Sequence, residues 1–72
     1  MKNSPLAIAF GQRIRDLRTA HGLSQEAFAD LSGFDRTYIS GIELGKRNPS
    51  LLAIEALAKA LGVTAGELFS GL

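Results

Sequence analysis

The sequence predicts an all-α domain, and two kinds of local signal support this fold class. Residues that can cap a helix, such as Ser4, Ser24 and Asp35, stand before segments whose apolar residues recur every three or four positions. Glycines follow several of these segments, where a residue in the left-handed conformation commonly ends a helix. Because the pattern occurs five times along the chain, we expect five helices.

The length allows a single domain over residues 1–72, with a core of limited size. A chain this short buries only about 60% of the surface that its unfolded form exposes. The sequence contains no cysteine, which excludes disulfides and thiolate metal sites. Stability therefore has to come from packing and from association with a partner chain.

The composition excludes several functional classes. Although 46% of the residues are hydrophobic, no apolar run is long enough to cross a bilayer, and the first ten residues lack the features of a signal peptide, so we expect a cytoplasmic protein with no membrane partner. The net charge of +1 is ordinary, and charge alone favours a mixed, solvated surface. His21 is the only histidine and has no nearby nucleophile or second ligand, so we expect neither a catalytic site nor a metal site.

The first helix is expected after residues 1–3, beginning at Ser4-Pro5 and ending at His21-Gly22. A serine cap followed by proline at the first helical position is typical of a helix start, and glycine suits the left-handed end. One apolar stripe runs along this helix and consists of Leu6, Phe10, Ile14 and Leu17.

Helices two and three are expected to form a tightly connected pair. Ser24 can cap helix two, and Gly33 follows Ala29 by four residues, where the chain must turn sharply. Asp35 can cap helix three, which continues until Gly45. The stretch from Leu23 to Gly45 thus predicts two short helices joined by a tight turn.

Helix three has an unusual exposed side. On a helical wheel Tyr38, Ile39 and Ile42 share one side, while the opposite side is short-chained apart from Arg36. A helix that only had to stay soluble would favour Glu, Lys and Ala over Thr, Ser and Gly. A helix entering the major groove of DNA instead needs small side chains, a fork of donors for a guanine edge, and hydroxyl or methyl groups. The residues that meet these needs are Arg36, Thr37 and Ser40.

Helix four, expected from Leu51 to Leu61, is more apolar than one core-facing side requires. Gly62 ends it, and Thr64 with Glu67 predicts a capping box for a short final helix. The extra apolar surface favours a dimerisation region over residues 51–72, although the terminal segments could also cover it. The residues that we expect at the dimer interface are Leu52, Ala56, Leu68 and Phe69.

Several motifs together resemble the Cro and phage-repressor family, often called the Xre family. They are Ser24-Gln25 at the start of helix two, Ala29 with Gly33, Ile39 with Ile42, Glu43 before the closing glycine, GKRNPSL at 45–51 and LAKALGVT at 57–64. The resemblance implies a five-helix, lambda-repressor-like DNA-binding domain with a helix-turn-helix at 24–44. The run from Asp35 to Glu43 is also similar to the controller proteins of restriction-modification systems.

The resemblance implies a role for each matching residue. Arg36, Thr37 and Ser40 would contact base edges, and Arg18 with Glu43 would form an ion pair that ties helix one to helix three. Tyr38 could instead be an aromatic at the core edge, and Gln25 could simply start its helix. The residues implied to contact the sugar-phosphate backbone are Gln25, Tyr38, Lys46, Arg47 and Asn48.

These expectations converge on a sequence-specific transcriptional regulator that binds a palindromic operator as a homodimer. The expected partners are double-stranded DNA, a second copy of the chain and RNA polymerase. We expect no cofactor, no small-molecule effector and no enzymatic activity, since no nucleophile-base pair, metal cluster or phosphate loop is evident. The alternative is a protein-interaction module of the same fold, similar to an antitoxin, with little DNA specificity.

Overall fold

The structure, a computed structural model, describes residues 4–72. Residues 1–3, which the sequence predicts to precede the first helix, lie outside the described residues. The described residues form five helices and no strand, which confirms the predicted all-α fold class. No helix among them is long and apolar enough to cross a bilayer. The helices are α1 (Pro5–Ala20), α2 (Gln25–Ser32), α3 (Arg36–Glu43), α4 (Leu51–Leu61) and α5 (Ala65–Leu68).

All five helices begin with a side-chain cap. In each case a side-chain oxygen accepts a hydrogen bond from a backbone amide three residues later, at 2.8–3.1 Å. At α5 the cap is reciprocal, because the amide of Thr64 donates to the carboxylate of Glu67 over 2.9 Å, which lowers the pKa of Glu67. The capping residues are Ser4, Ser24, Asp35, Ser50 and Thr64.

The core lies where α1 packs against α3 and α5, and where α2 packs against α3 and α4. Phe28, Ile39 and Leu57 are completely buried at its centre. The expected stripe of α1 enters this core only in part. Leu6 is 56% exposed, because the first turn of α1 extends beyond the edge of the core, whereas Phe10 and Ile14 are buried.

Gly11 lets α1 approach α3 more closely than any other residue would allow. A Cβ atom added at this position would lie 2.1 Å from the carbonyl oxygen of Ile42 and 2.9 Å from that of Glu43. Both of these atoms belong to the backbone and cannot move aside without shifting α3. The distance between the two helices is therefore set by the absence of a side chain at Gly11.

An ion pair between Arg18 of α1 and Glu43 of α3 orients these helices. The Nε of Arg18 donates to Oε2 of Glu43 over 2.6 Å, and its Nη2 donates to Oε1 over 2.9 Å. The Nη1 of Arg18 donates to the carbonyl oxygen of Leu23 over 2.8 Å, so the same side chain also holds the turn before α2. The side chains are only 11% and 4% exposed. Hydrogen bonding to Glu43 raises the pKa of Arg18, which therefore stays charged.

The expectation that Leu68 lies at the dimer interface is wrong. Its side chain is completely buried within the core of its own protomer. The neighbouring Phe69 stacks against Phe10 of α1, with ring centroids 5.0 Å apart, and remains 39% exposed. Leu68 therefore anchors α5 to the rest of the domain, and only Phe69 of this pair is available to a partner.

Replacing Leu68 with alanine is expected to destabilise the protomer by about 2–5 kcal/mol, because a buried leucine leaves a cavity when it is shortened. Urea unfolding followed by circular dichroism measures this change. The matched control is Leu31→Ala, since Leu31 is 62% exposed on α2 and its loss should change stability by about 0.5 kcal/mol or less. Equal effects of the two substitutions would contradict the placement of Leu68 in the core.

Replacing Glu43 with alanine is expected to cost about 3–5 kcal/mol, because it leaves the guanidinium of Arg18 buried without its partner. The matched control replaces both residues with methionine, which removes the unpaired charge and should recover most of the loss. Urea unfolding measures both variants. If the paired replacement were as unstable as Glu43→Ala, the loss would come from packing around α3 and not from an unpaired charge.

Candidate nucleic-acid interface

The exposed side of α3 is a continuous arc of residues. At about 100° per residue, positions 36, 40, 44, 37 and 41 follow one another around roughly 140° of the helix. Ile39 and Ile42 lie on the opposite side and are buried in the core. The arc therefore faces away from the protein, and we refer to it as the α3 face.

Three predicted base-contacting residues lie on the α3 face. Arg36 and Thr37 are exposed, and Ser40 is half-buried. Within residues 4–72 their side chains form no hydrogen bond or ion pair, whereas the neighbouring Asp35 is engaged in capping the helix. Their donors and acceptors are thus available to a ligand outside the protein. Leu44, 58% exposed, is a fourth member of the face.

The orientation of the α3 face depends on Gly11, Arg18 and Glu43, as described above, and on Gln25. The amide Nε2 of Gln25 donates to Oε1 of Glu43 over 3.1 Å, so Glu43 accepts hydrogen bonds from both α1 and α2. The position of Gln25 at the start of α2 thus links α2 to the end of α3. The sequence did not predict this bond, because no local pattern links Gln25 to Glu43 and the family resemblance implied a DNA-backbone contact for Gln25 instead.

The loop between α3 and α4 carries three of the residues predicted to contact the sugar-phosphate backbone. Lys46, Arg47 and Asn48 are all exposed. The loop begins at Gly45, whose φ of +74° favours glycine, and a Cβ atom there would lie 2.8 Å from Cγ1 of Ile8. The amide of Lys46 then donates to the carbonyl oxygen of Gly41 over 2.8 Å. The chain therefore turns back toward α3 at the end of the helix.

Arg47 follows this turn and lies against α3. Its Cζ atom is 5.5 Å from the centroid of the Tyr38 ring, within the range of a cation–π contact. Tyr38 is half-buried and also packs against Phe34, with ring centroids 4.7 Å apart. Tyr38 is thus an aromatic at the core edge, as one of the two sequence interpretations had it, and it also contacts a predicted DNA-binding cation.

A second set of exposed side chains is apolar and does not belong to the α3 face. Leu51 and Leu52 at the start of α4 are 84% and 77% exposed, and Leu6 and Phe69 are also exposed. Leu6 and Phe69 line a groove of about 180 Å³ together with Pro49 and Ile54. We call Leu6, Leu51, Leu52 and Phe69 the apolar face. Of the other residues predicted at a dimer interface, Ala56 is half-buried and Leu68 is fully buried.

The structure brings together only part of what the sequence predicted. Arg36, Thr37, Ser40 and the 46–48 loop are on or beside one helix, whereas the predicted dimer residues are on α4, at the end of α5 and directly after it. The sequence placed Leu6 in the apolar stripe of helix one, although Leu6 is 56% exposed, and it assigned no contact to Gly41. A glycine inside a helix is unfavourable and could have indicated a close contact at Gly41. No local signal distinguishes Leu6 from the buried members of its stripe.

Known proteins are similar to this chain in sequence and in fold. Residues 14–68 match the HTH_3 family, described as helix-turn-helix. The chain is 48% identical over 66 residues to the control protein C.MunI of a Mycoplasma species, covering 90% of this chain and 89% of that protein. It is 45% identical over 64 residues to the control protein C.BamHI of Bacillus amyloliquefaciens, covering 88% and 79%.

A solved structure is similar as well. The restriction-modification controller protein C.AhdI from Aeromonas hydrophila matches with a TM-score of 0.86 and 57% sequence identity, covering 88% of this chain and 96% of that one. The matches in sequence and in structure thus agree with the arrangement of α2 and α3 as a helix-turn-helix. The chain belongs to the Xre-type helix-turn-helix family of DNA-binding transcriptional regulators.

Proposed function

We propose that this protein binds a palindromic DNA operator as a homodimer and controls transcription, in the manner of the restriction-modification control proteins that it resembles. The observation that carries the proposal is the α3 face, where Arg36, Thr37 and Ser40 point away from the core with no partner in residues 4–72. A rigidly packed helix with free polar groups on its outer side is suited to the major groove.

The polar side chains on the α3 face would contact the edges of the DNA bases in this proposal. The guanidinium of Arg36 offers a fork of donors to the O6 and N7 atoms of guanine. Thr37 and Ser40 supply hydroxyl groups, and the Thr37 methyl group can contact thymine. Lys46 and Asn48, in the exposed loop after α3, contact phosphates and so fix the position of the helix without reading sequence.

The apolar face supports the proposed homodimer. A small protein seldom leaves several large apolar side chains in water without a partner, and Leu51, Leu52 and Leu6 are each more than half exposed. In a two-fold dimer the same patch on each protomer buries its counterpart. Two α3 helices could then enter successive major grooves about 34 Å apart. Ala56 and Phe69 lie in the same part of the chain and contribute to this interface.

Regulation in this proposal depends on how much protein is present. Dimer formation rises with concentration, so operator occupancy changes steeply without a small-molecule effector. An operator beside a promoter places the dimer next to RNA polymerase, which is the further partner that we propose. Because the family consists of regulators and not of enzymes, occupancy of DNA is the activity to be measured.

Selection of bound sequences from random duplex DNA at physiological salt is expected to yield a motif with two-fold symmetry. Replacing Arg36 with alanine should weaken binding to this operator by about 1–3 kcal/mol and relax the preference at one base pair in each half-site. Replacing Arg47 should weaken all sequences alike and reduce the salt slope by about one. Binding titrations against single-base operator variants measure both effects.

The control for Arg36→Ala is Arg15→Ala, which removes the same charge from an exposed position on α1. It should leave base preference unchanged. If Arg36→Ala retained the preference of the wild type at every position, Arg36 would not be a reading residue. If the selection enriched no sequence, the protein-interaction module would be favoured over the regulator.

Replacing Leu52 with lysine is expected to convert the dimer to monomers and to weaken operator binding at a given concentration, because a charge would be buried in the interface. Sedimentation equilibrium measures the association. Leu31→Lys is the matched control, since Leu31 is a similarly exposed leucine on α2, outside the apolar face. A dimer that resisted Leu52→Lys, or a wild type that stayed monomeric at all concentrations, would rule out this interface.

A further inference from the structure

Three side chains form a column along one flank of the α3 face. Phe34 and Tyr38 pack ring against ring with centroids 4.7 Å apart, and Cζ of the Arg47 guanidinium lies 5.5 Å from the Tyr38 centroid. Phe34 is half-buried and contacts the core, so the column is anchored at one end. Its outer end is the cation of Arg47, which is exposed.

Gly41 provides the space in which Arg47 lies. A Cβ atom at position 41 would be 2.8 Å from Cγ of Arg47 and 3.1 Å from its Nε. The Arg47 side chain therefore crosses α3 directly over the glycine. Because Gly41 has no positive φ, its backbone could hold alanine, which favours a helix more. The close contact with Arg47 gives this glycine a role that helix formation does not explain.

The affinity for DNA depends on how strongly the Arg47 side chain is already restrained in the free protein. A free arginine has many rotamers and loses this freedom when it contacts DNA, whereas a side chain already held in place loses less. A cation–π contact at an exposed site shifts such an equilibrium by about two- to fivefold. The turn at Gly45 brings the backbone of residue 47 close to α3, and the ring and the glycine then define the path of its side chain.

We propose that Tyr38 and Gly41 are positioning residues that hold Arg47 across the α3 face, so that they act on DNA through Arg47. The ring of Tyr38, and not its hydroxyl group, performs this task. The inference rests on the proposed function, because Arg47 is taken as a DNA contact. It assigns a different role to Tyr38 from the direct phosphate contact that the family resemblance implies.

The first test needs no DNA and uses the full chain. In NMR spectra the δ protons of Arg47 should be shifted upfield by the Tyr38 ring, and ¹⁵N relaxation at its Nε should show restricted motion. Tyr38→Phe should keep both signatures, whereas Tyr38→Leu and Gly41→Ala should remove them. An Arg47 side chain that moved equally freely in the wild type and in Tyr38→Leu would overturn the proposal.

The second test measures operator affinity for the same three variants, with and without Arg47→Ala. Tyr38→Phe should bind within about twofold of the wild type, while Tyr38→Leu and Gly41→Ala should bind about two- to fivefold more weakly, the strength expected of one exposed cation–π contact. In the Arg47→Ala background none of the three should have a further effect. Urea unfolding checks that each variant is folded, and Gly41→Ala should be at least as stable as the wild type.

The outcomes separate this inference from the proposed function. If Tyr38→Phe lost as much affinity as Tyr38→Leu, the hydroxyl group would contact DNA itself and the inference would be wrong. If Gly41→Ala also lowered the operator affinity in the Arg47→Ala background, the added methyl group would obstruct DNA directly. If the wild type bound no selected duplex, the proposed function would fail, and the NMR measurements alone would decide whether Arg47 is held.

Discussion

The ion pair between Arg18 and Glu43 determines how α3 is oriented on the domain. Arg18 comes from α1 and Glu43 from the end of α3, and the same guanidinium holds the carbonyl oxygen of Leu23 in the turn before α2. A buried ion pair adds little net stability compared with apolar residues of similar size, because both charges lose their hydration. The two hydrogen bonds between Arg18 and Glu43 do, however, fix the orientation of one side chain relative to the other. The pair therefore matters most for the orientation of α3 relative to α1.

The α3 face and the apolar face consist of different residues, although Asn48 of the loop after α3 lines the same groove as Leu6 and Phe69. Ile39 and Ile42 hold the buried side of α3 in the core, which leaves Arg36 and Thr37 of the α3 face exposed, while Arg47 lies over Gly41 at one edge of this face. The apolar face is on α4, the start of α1 and the residue after α5. In the proposed dimer, a protein of this size could thus contact DNA and a second copy at once, because the two surfaces use different helices.

Features that depend on neighbours in sequence were predictable. A capping side chain bonds to an amide three residues away, so Ser4, Asp35 and Thr64 could be identified without the fold. The exposed position of Arg36 and Thr37 was also predictable, because Ile39 and Ile42 define the buried side of a short helix. The glycine turn at Gly33 follows from the same local rules and has a φ of +81°.

Apart from the Arg18–Glu43 ion pair, which the family resemblance implied, contacts between distant segments were not predictable. Leu68 and Phe69 are adjacent and both apolar, and only the docking of α5 decides that Leu68 is buried while Phe69 stacks on Phe10. The sequence by itself determined where the helices begin, which side of α3 is free and which residues that side offers. The tertiary structure decided the partners of Gln25 and the position of Arg47 over Gly41, because these depend on how helices pack across the fold and not on periodicity within one helix.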